Sequence, residues 1–337
     1  MLAPWHWHIE ISSKCTLACP RCPRQEVPDN LINTELGLDF FKKNFTPSFI
    51  NEYVEKITFC GDDGDPIYAH DFIEVIEYFK NIKPELSVII ITNGSYKKQD
   101  WWLSLSRLLT QNDQIHFSID GYDQESNSIY RVNSNFDSIM LGVQVLRNNS
   151  NVFMIWDAIG FSFNQDKIEY MKFLAKNLGF DQFQLTKSTK FGKIYPAYGS
   201  KDNLQPTDEL ISSSSRFERV LYNLSGRNFI EHWLKTNLIY FDKVKVIDEK
   251  IKPICGIGNK GLYINSKGEF YPCCWVGNRY SHNTKWIERG QGYNLYQHDL
   301  EKVLDSNNWS DDIFRESLEC NSKCHVSRID KNYATQW

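Results

Sequence analysis

Between residues 5 and 187 the chain alternates short apolar runs with segments whose apolar residues recur at helical spacing, and few folds satisfy that rhythm. The strand-like runs are Trp5–Ser12, Val54–Cys60, Leu86–Thr92, Gln114–Asp120, Val152–Gly160 and Gln182–Thr186. The helical segments are Leu38–Phe45, Asp71–Ile82, Asp100–Thr110, Phe136–Asn148 and Lys167–Leu178. Strands that alternate with helices pair in parallel, and right-handed crossovers curl such units toward a barrel with functional residues at the C-terminal strand ends. The expectation is an α/β fold: a partial (β/α)6 TIM-type barrel over residues 1–190, a connecting region over 191–250 and a smaller C-terminal α+β domain over 251–337.

Alternate residues of a strand face opposite sides of its sheet. In the first strand Trp5, Trp7, Ile9 and Ile11 share one face, and His6, His8, Glu10 and Ser12 the other. Ile57 and Phe59 oppose Thr58 and Cys60 in the second, and Ile115, Phe117 and Ile119 oppose His116, Ser118 and Asp120 in the fourth. Helices must cover the apolar faces, which leaves a polar lumen suited to a site. After residue 190 the rhythm stops, and Gly261–Cys273 reads as a β-hairpin turning at Asn265-Ser266-Lys267-Gly268.

Nine cysteines stand in this chain, three of them as Cys15-x-x-x-Cys19-x-x-Cys22 in the loop after the first strand. Pro20 and Pro23 argue against a helix there. Three thiolates on one short loop can converge, and with no fourth cysteine nearby a four-iron cluster would keep one iron open, as catalysis requires. A structural zinc site is the other reading of such spacing. In the last third, Cys255, Cys273, Cys320 and Cys324 are enough thiolates for a second four-iron cluster or, again, a zinc ion. Cys274 could replace Cys273, and His325 could compete. Cys60 and Cys274 are otherwise small buried hydrophobes.

The triad spacing resembles the signature of the radical S-adenosylmethionine superfamily, and further matches follow in order. Cys60-Gly61-Asp62-Asp63-Gly64-Asp65-Pro66 is similar to its Gly-Gly-Glu-Pro element, Thr92-Asn93-Gly94 ends the third strand, and Phe117-Ser118-Ile119-Asp120-Gly121 ends the fourth. Tyr130-Arg131 sits where a related polar group meets the cofactor. The resemblance implies Cys15, Cys19 and Cys22 as ligands of a [4Fe-4S] cluster that binds S-adenosylmethionine. It implies Asp63, Gly64, Asp65, Asn93, Ser118, Asp120 and Arg131 as cofactor contacts. Two departures stand out: Arg21 replaces the aromatic residue usual before the third cysteine, and Asp63-Gly64-Asp65 replaces Gly-Gly-Glu.

The C-terminal cysteines resemble the twitch or SPASM appendage, which implies one auxiliary [4Fe-4S] cluster on Cys255, Cys273, Cys320 and Cys324. The implied reaction is reductive cleavage of S-adenosylmethionine and hydrogen abstraction, with oxidative crosslinking or dehydrogenation of a ribosomal peptide preferred. A dehydrogenase or epimerase of an aminocyclitol or sugar is the second reading, and a non-catalytic iron–sulfur electron carrier the third. A reductant such as flavodoxin or ferredoxin is the implied partner.

Composition narrows the rest. No stretch approaches the roughly 20 apolar residues of a membrane span, so no membrane partner is expected. Met1–Ile11 lacks an export signal, which points to the cytoplasm. A net charge of -4 without a basic block argues against nucleic acid as partner. The first strand begins almost at Met1, which weakens the expectation of a leader-binding module before the barrel.

Overall fold

The computed structural model describes residues 5–26, 31–187, 204, 213–217, 262–271, 273–277 and 293–305. In chain order its elements are β1 (Trp5–Ile9), α1 (Pro23–Glu26), α2 (Leu38–Asn44), α3 (Pro47–Tyr53), β2 (Val54–Phe59), α4 (Phe72–Ile82), β3 (Ser87–Thr92), α5 (Gln99–Leu108) and β4 (Gln114–Ser118). There follow α6 (Gln124–Ser128), α7 (Phe136–Asn149), β5 (Phe153–Gly160), α8 (Ile168–Asn177), β6 (Gln182–Lys187), β7 (Ser213–Arg216), β8 (Leu262–Ile264), β9 (Phe270–Tyr271), α9 (Cys274–Gly277) and α10 (Leu300–Asp305). Every predicted strand and helix of the first 187 residues is present, most with ends shifted by one or two residues. The first strand is shorter than expected, stopping at Ile9.

The chain divides into two compact units. One holds residues up to Ile9, Leu38–Thr58 and the described residues beyond 219; the other holds Glu10–Gly37 and Phe59–Glu218. In the second unit β3, β4, β5 and β6 run parallel in that order, and β7 adds antiparallel to β6. Parallel strands need covered faces, and the helices supply the cover. Phe72, Val75, Ile76 and Phe79 recur on one side of α4 and are wholly buried, as are Ile115, Phe117 and Trp156 on the strands. Trp102 of α5 lies against Phe117 with ring centroids 5.7 Å apart. Trp102 is wholly buried core.

In the first unit β2 lies beside β1, β8 pairs parallel with β1, and β9 returns antiparallel to β8. The predicted hairpin is present, turning where Gly268 adopts φ +77°, a conformation that favours glycine. Its parallel pairing with β1 carries no local sequence signal. Trp7 packs edge-on against Phe45 and Phe49 at 5.1 and 5.7 Å. On the opposite face of β1, His6 Nε2 meets Thr58 Oγ1 at 2.7 Å, as the alternation of polar residues implied.

Three short helices of the first 187 residues, α1, α3 and α6, escaped the sequence reading. In α3 the Thr46 hydroxyl caps the Phe49 N–H and Pro47 takes the first turn, where its missing N–H is not needed. The same rule corrects the expectation for the cysteine loop: Pro23 opens the four-residue α1 instead of blocking it. The predicted boundaries at residues 190 and 250, and Cys255, Cys320, Cys324 and His325, lie outside the described residues.

Candidate functional site

The cysteine loop is held from several directions within the second unit. The Cys22 N–H donates to the Cys19 carbonyl at 3.0 Å, and the Ala18 N–H to the Val132 carbonyl at 3.0 Å. Leu17, Cys19, Tyr130, Phe161 and Leu204 form one buried apolar cluster, with Cys15, Cys22, Ile159 and Phe163 packed against it. None of the three cysteines forms a disulfide. Burial pushes the Cys15 thiol up to about 12, and nearby Asp65 adds to the shift. Burial likewise pushes Cys19 up to about 11, opposed by the Arg131 guanidinium. Such sulfurs lose their protons to a metal far more readily than to water.

The residues present fit an iron–sulfur cluster. Cys15 Sγ accepts from the Leu17 N–H at 3.4 Å and from Asn93 Nδ2 at 3.7 Å, the kind of donors that tune cluster sulfurs. Among the described residues no three His, Cys, Asp or Glu side chains are drawn in closely enough for a single metal ion, the arrangement zinc needs. A four-iron cube takes one thiolate per iron and spreads its ligands more widely.

The loop after β2 is built around Glu10. Its Oε1 accepts the backbone N–H groups of Asp63 at 2.6 Å and Gly64 at 3.1 Å. Arg24, next to the cysteine loop, donates to the carbonyls of Ser13 and Asp63. Gly64 passes so close to the cysteine loop that a Cβ there would lie 1.9 Å from the Ser12 carbonyl oxygen. Sequence reading placed Glu10 on the lumen face without foreseeing this task, because its partners are 53 and 54 residues away.

Asp65 is buried and uses both oxygens. Oδ1 accepts from Thr92 Oγ1 at 2.8 Å and from the Ile67 N–H at 3.2 Å, and Oδ2 accepts both nitrogens of Asn93. Burial raises its carboxyl above the ordinary value, against the pull of these donors. Asn93 Oδ1 takes the Ser95 N–H at 2.9 Å. Gly94, at φ +71°, makes the turn with its α-carbon against the Phe117 ring. Tyr68 bridges the same level: its hydroxyl donates to the Ser95 carbonyl at 2.8 Å, so the Thr16 hydroxyl 2.8 Å away donates to Tyr68.

Asp120 is wholly buried after β4. Its Oδ2 takes Arg131 Nε at 2.5 Å and its Oδ1 the Ile159 N–H at 2.6 Å. Arg131 lies over the Tyr130 ring, 5.2 Å from its centroid. Ser118 is half-buried one residue pair below. Arg21, the departure before Cys22, is 1% exposed and donates to the Leu204 carbonyl at 3.4 Å. Cys60 is buried, its thiol pushed well up by burial and by Asp62 and Glu10. Cys273 and Cys274, at the start of α9, are both half-buried and outside any disulfide. The structure thus brings Cys15, Cys19, Cys22, Asp65, Asn93 and Arg131 together.

This fold, with its three-cysteine loop after the first strand, is similar to that of radical S-adenosylmethionine enzymes. No protein-family model matches the chain. Over 281 residues it is 22% identical to the antilisterial bacteriocin subtilosin biosynthesis protein AlbA of Bacillus subtilis (strain 168), which covers 82% of this chain and 56% of AlbA. The chain therefore spans little more than half the length of that relative. Its fold is similar to Streptococcus suis SuiB bound to S-adenosylmethionine, with TM-score 0.58, 14% identity and coverage of 93% of this chain and 67% of SuiB. It is also similar to anSMEcpe with bound AdoMet, with TM-score 0.53, 19% identity and coverage of 90% and 78%. No described helix is long and apolar enough to cross a membrane.

Proposed function

We propose that this protein is a radical S-adenosylmethionine enzyme that oxidatively modifies a ribosomally made peptide. The observation that carries the reading is the meeting of Cys15, Cys19 and Cys22 with Tyr130 and Phe161 in one buried apolar cluster, with Asn93 after β3 reaching Cys15 Sγ. Three thiolates, with no fourth from the same loop, leave room for a ligand on the cluster. When bound, a reduced [4Fe-4S] cluster supplies an electron that splits S-adenosylmethionine into methionine and a 5′-deoxyadenosyl radical. The protein's own share is orientation and exclusion of water. Glu10 and Arg24 fix the Asp63-Gly64 backbone that would receive the methionyl amino group. Asn93, Ser118 and Arg131 line the ends of β3 and β4, with Asp120 fixing Arg131. Tyr130, Phe161 and Phe163 keep the loop dry.

A peptide substrate is supported by the relatives. AlbA takes part in subtilosin biosynthesis, SuiB has been seen with its precursor peptide SuiA, and anSMEcpe with AdoMet and the Cp18Cys peptide. Oxidation as the outcome rests on an auxiliary cluster at Cys273 or Cys274 with Cys255, Cys320 and Cys324. That cluster would accept the electron of the substrate radical, and a flavodoxin or ferredoxin would feed the first. A hydrogen-atom donor at Cys60 or Cys274 would instead give an epimer, and Cys→Ala at either would then stop product without stopping cofactor cleavage.

The test is anaerobic reconstitution with iron and sulfide, then reductant and S-adenosylmethionine. We expect about eight iron atoms per chain, about four in the Cys15→Ala, Cys19→Ala, Cys22→Ala variant, and 5′-deoxyadenosine from the parent alone. Bound iron without deoxyadenosine from either protein would replace the reading with an electron carrier.

A further inference from the structure

We propose that the His116–Asp157 pair on the inner face of β4 and β5 is a substrate-anchoring site that takes a nitrogen hydrogen-bond donor of the substrate, an ammonium, guanidinium or amide. The inference rests on the peptide-modifying reading and adds a specificity to it.

Residues alternate across these strands, so Ile115 and Phe117 are buried under the helices while Gln114, His116 and Ser118 point to the other face. Register sets Ser118 beside Asp157 and Asp157 beside Gln184 of β6. This places the Asp157 carboxylate on the inner face next to Ser118, one step below the Asp120–Arg131 pair.

His116 Nδ1 donates to Asp157 Oδ2 at 2.7 Å, and its Nε2 lies 3.3 Å from Gln114 Oε1. The Nδ1 hydrogen bond holds the carboxylate in one orientation. The remaining oxygen, Oδ1, is buried and has no hydrogen-bond partner among the described residues. Asp63 Oδ1 is the other such carboxylate oxygen among the described residues of this unit. Asp65, Asp113 and Asp120 each spend both oxygens on protein donors. Buried acceptors are seldom left without a donor, and the exceptions call for a ligand or a strained role.

The surroundings say what the donor is. Among the described side chains at inward positions of β3 to β6 Asp157 is the one carboxylate, and none is lysine or arginine. Its register neighbours Ser118 and Gln184 are neutral. No protein cation competes for Oδ1 from these strands, so a charge-assisted hydrogen bond from the substrate has an open acceptor. Ile89 and Ile91 of β3, half-buried on the same face, suit the aliphatic stem of such a side chain.

The test uses the reconstituted protein with S-adenosylmethionine, without oxygen, as bait for a displayed library of random hexapeptides. We expect the parent to enrich Lys, Arg, Asn or Gln at one fixed position by about tenfold, and Asp157→Asn to lose that enrichment while preferences at other positions persist. His116→Gln, which keeps a donor toward Asp157, should retain it; His116→Leu should not. Iron content and thermal midpoint confirm that each variant is folded, and His116→Leu decides the matter if Asp157→Asn is not. Equal enrichment in parent and Asp157→Asn, or no donor-bearing position in the parent, would overturn the proposal. Deoxyadenosine formation by the parent separately decides the peptide-modifying reading, so the two can fail independently.

Discussion

Asn93 gives both of its nitrogens to one oxygen of Asp65, the backbone N–H at 2.6 Å and Nδ2 at 2.5 Å. The same Nδ2 lies 3.7 Å from Cys15 Sγ. A single buried carboxylate therefore sets the end of β3, the loop after β2 and the environment of the first cysteine. Asp65→Asn turns an acceptor into a donor facing donors. Hydrogen bonds to charged groups contribute about 1.5–3 kcal/mol, so urea unfolding should show a loss of about 2 kcal/mol, and deoxyadenosine formation should fall with it. An unchanged midpoint would show that Asp65 is not needed to hold Asn93.

Gly64 is fixed by sterics. A methyl group there meets the Ser12 carbonyl and the Ser13 backbone, neither of which can step aside as a flexible side chain would. Gly64→Ala should displace the loop from Glu10. Overpacking costs about 1–3 kcal/mol, and affinity for S-adenosylmethionine by calorimetry should drop while iron loading persists.

Tyr68→Phe removes one hydroxyl from the Thr16–Tyr68–Ser95 chain. A neutral hydrogen bond contributes about 1 kcal/mol, so thermal stability should change little. The cysteine loop loses a tether to the end of β3, and loss of iron to a chelator should be faster than in the parent. Equal rates would remove Tyr68 from the positioning of the loop.

Lys80 lies far from the cysteines in the sequence of contacts and tests stability alone. Its Nζ donates to both oxygens of Asp113 at 2.6 and 2.8 Å and to the Leu86 carbonyl at 2.7 Å. Asp113 also accepts from Val88, Thr110 N and Thr110 Oγ1. Lys80→Met leaves that carboxylate buried without its cation, an event that costs about 3–5 kcal/mol. Denaturant unfolding of the iron-free protein should read that loss, with Glu169→Gln, at an exposed pair with Lys172, near zero.

Much of this was legible from local pattern. Period-two alternation in Gln114–Ser118 and helical spacing in Phe72–Ile82 state their own geometry, because the faces they bury are set by backbone periodicity. The grouping of three thiols was legible for a similar reason, Cys15, Cys19 and Cys22 lying within eight residues of one loop. The short helices α1 and α3 were not, since a proline at a first turn reads as a breaker until the turn is seen.

The sequence by itself determined the order and kind of the elements and the chemistry of the loop, since both follow from spacing along the chain. Only the tertiary structure decided that Glu10 would clamp Asp63 and Gly64, that Asp65 would hold Asn93, that β8 would lie beside β1, and that His116 would bond the Asp157 carboxylate. Those pairings join residues from 28 to more than 250 positions apart or sit side by side on neighbouring strands. Partners so distant are chosen by how the whole sheet packs, which no local pattern encodes.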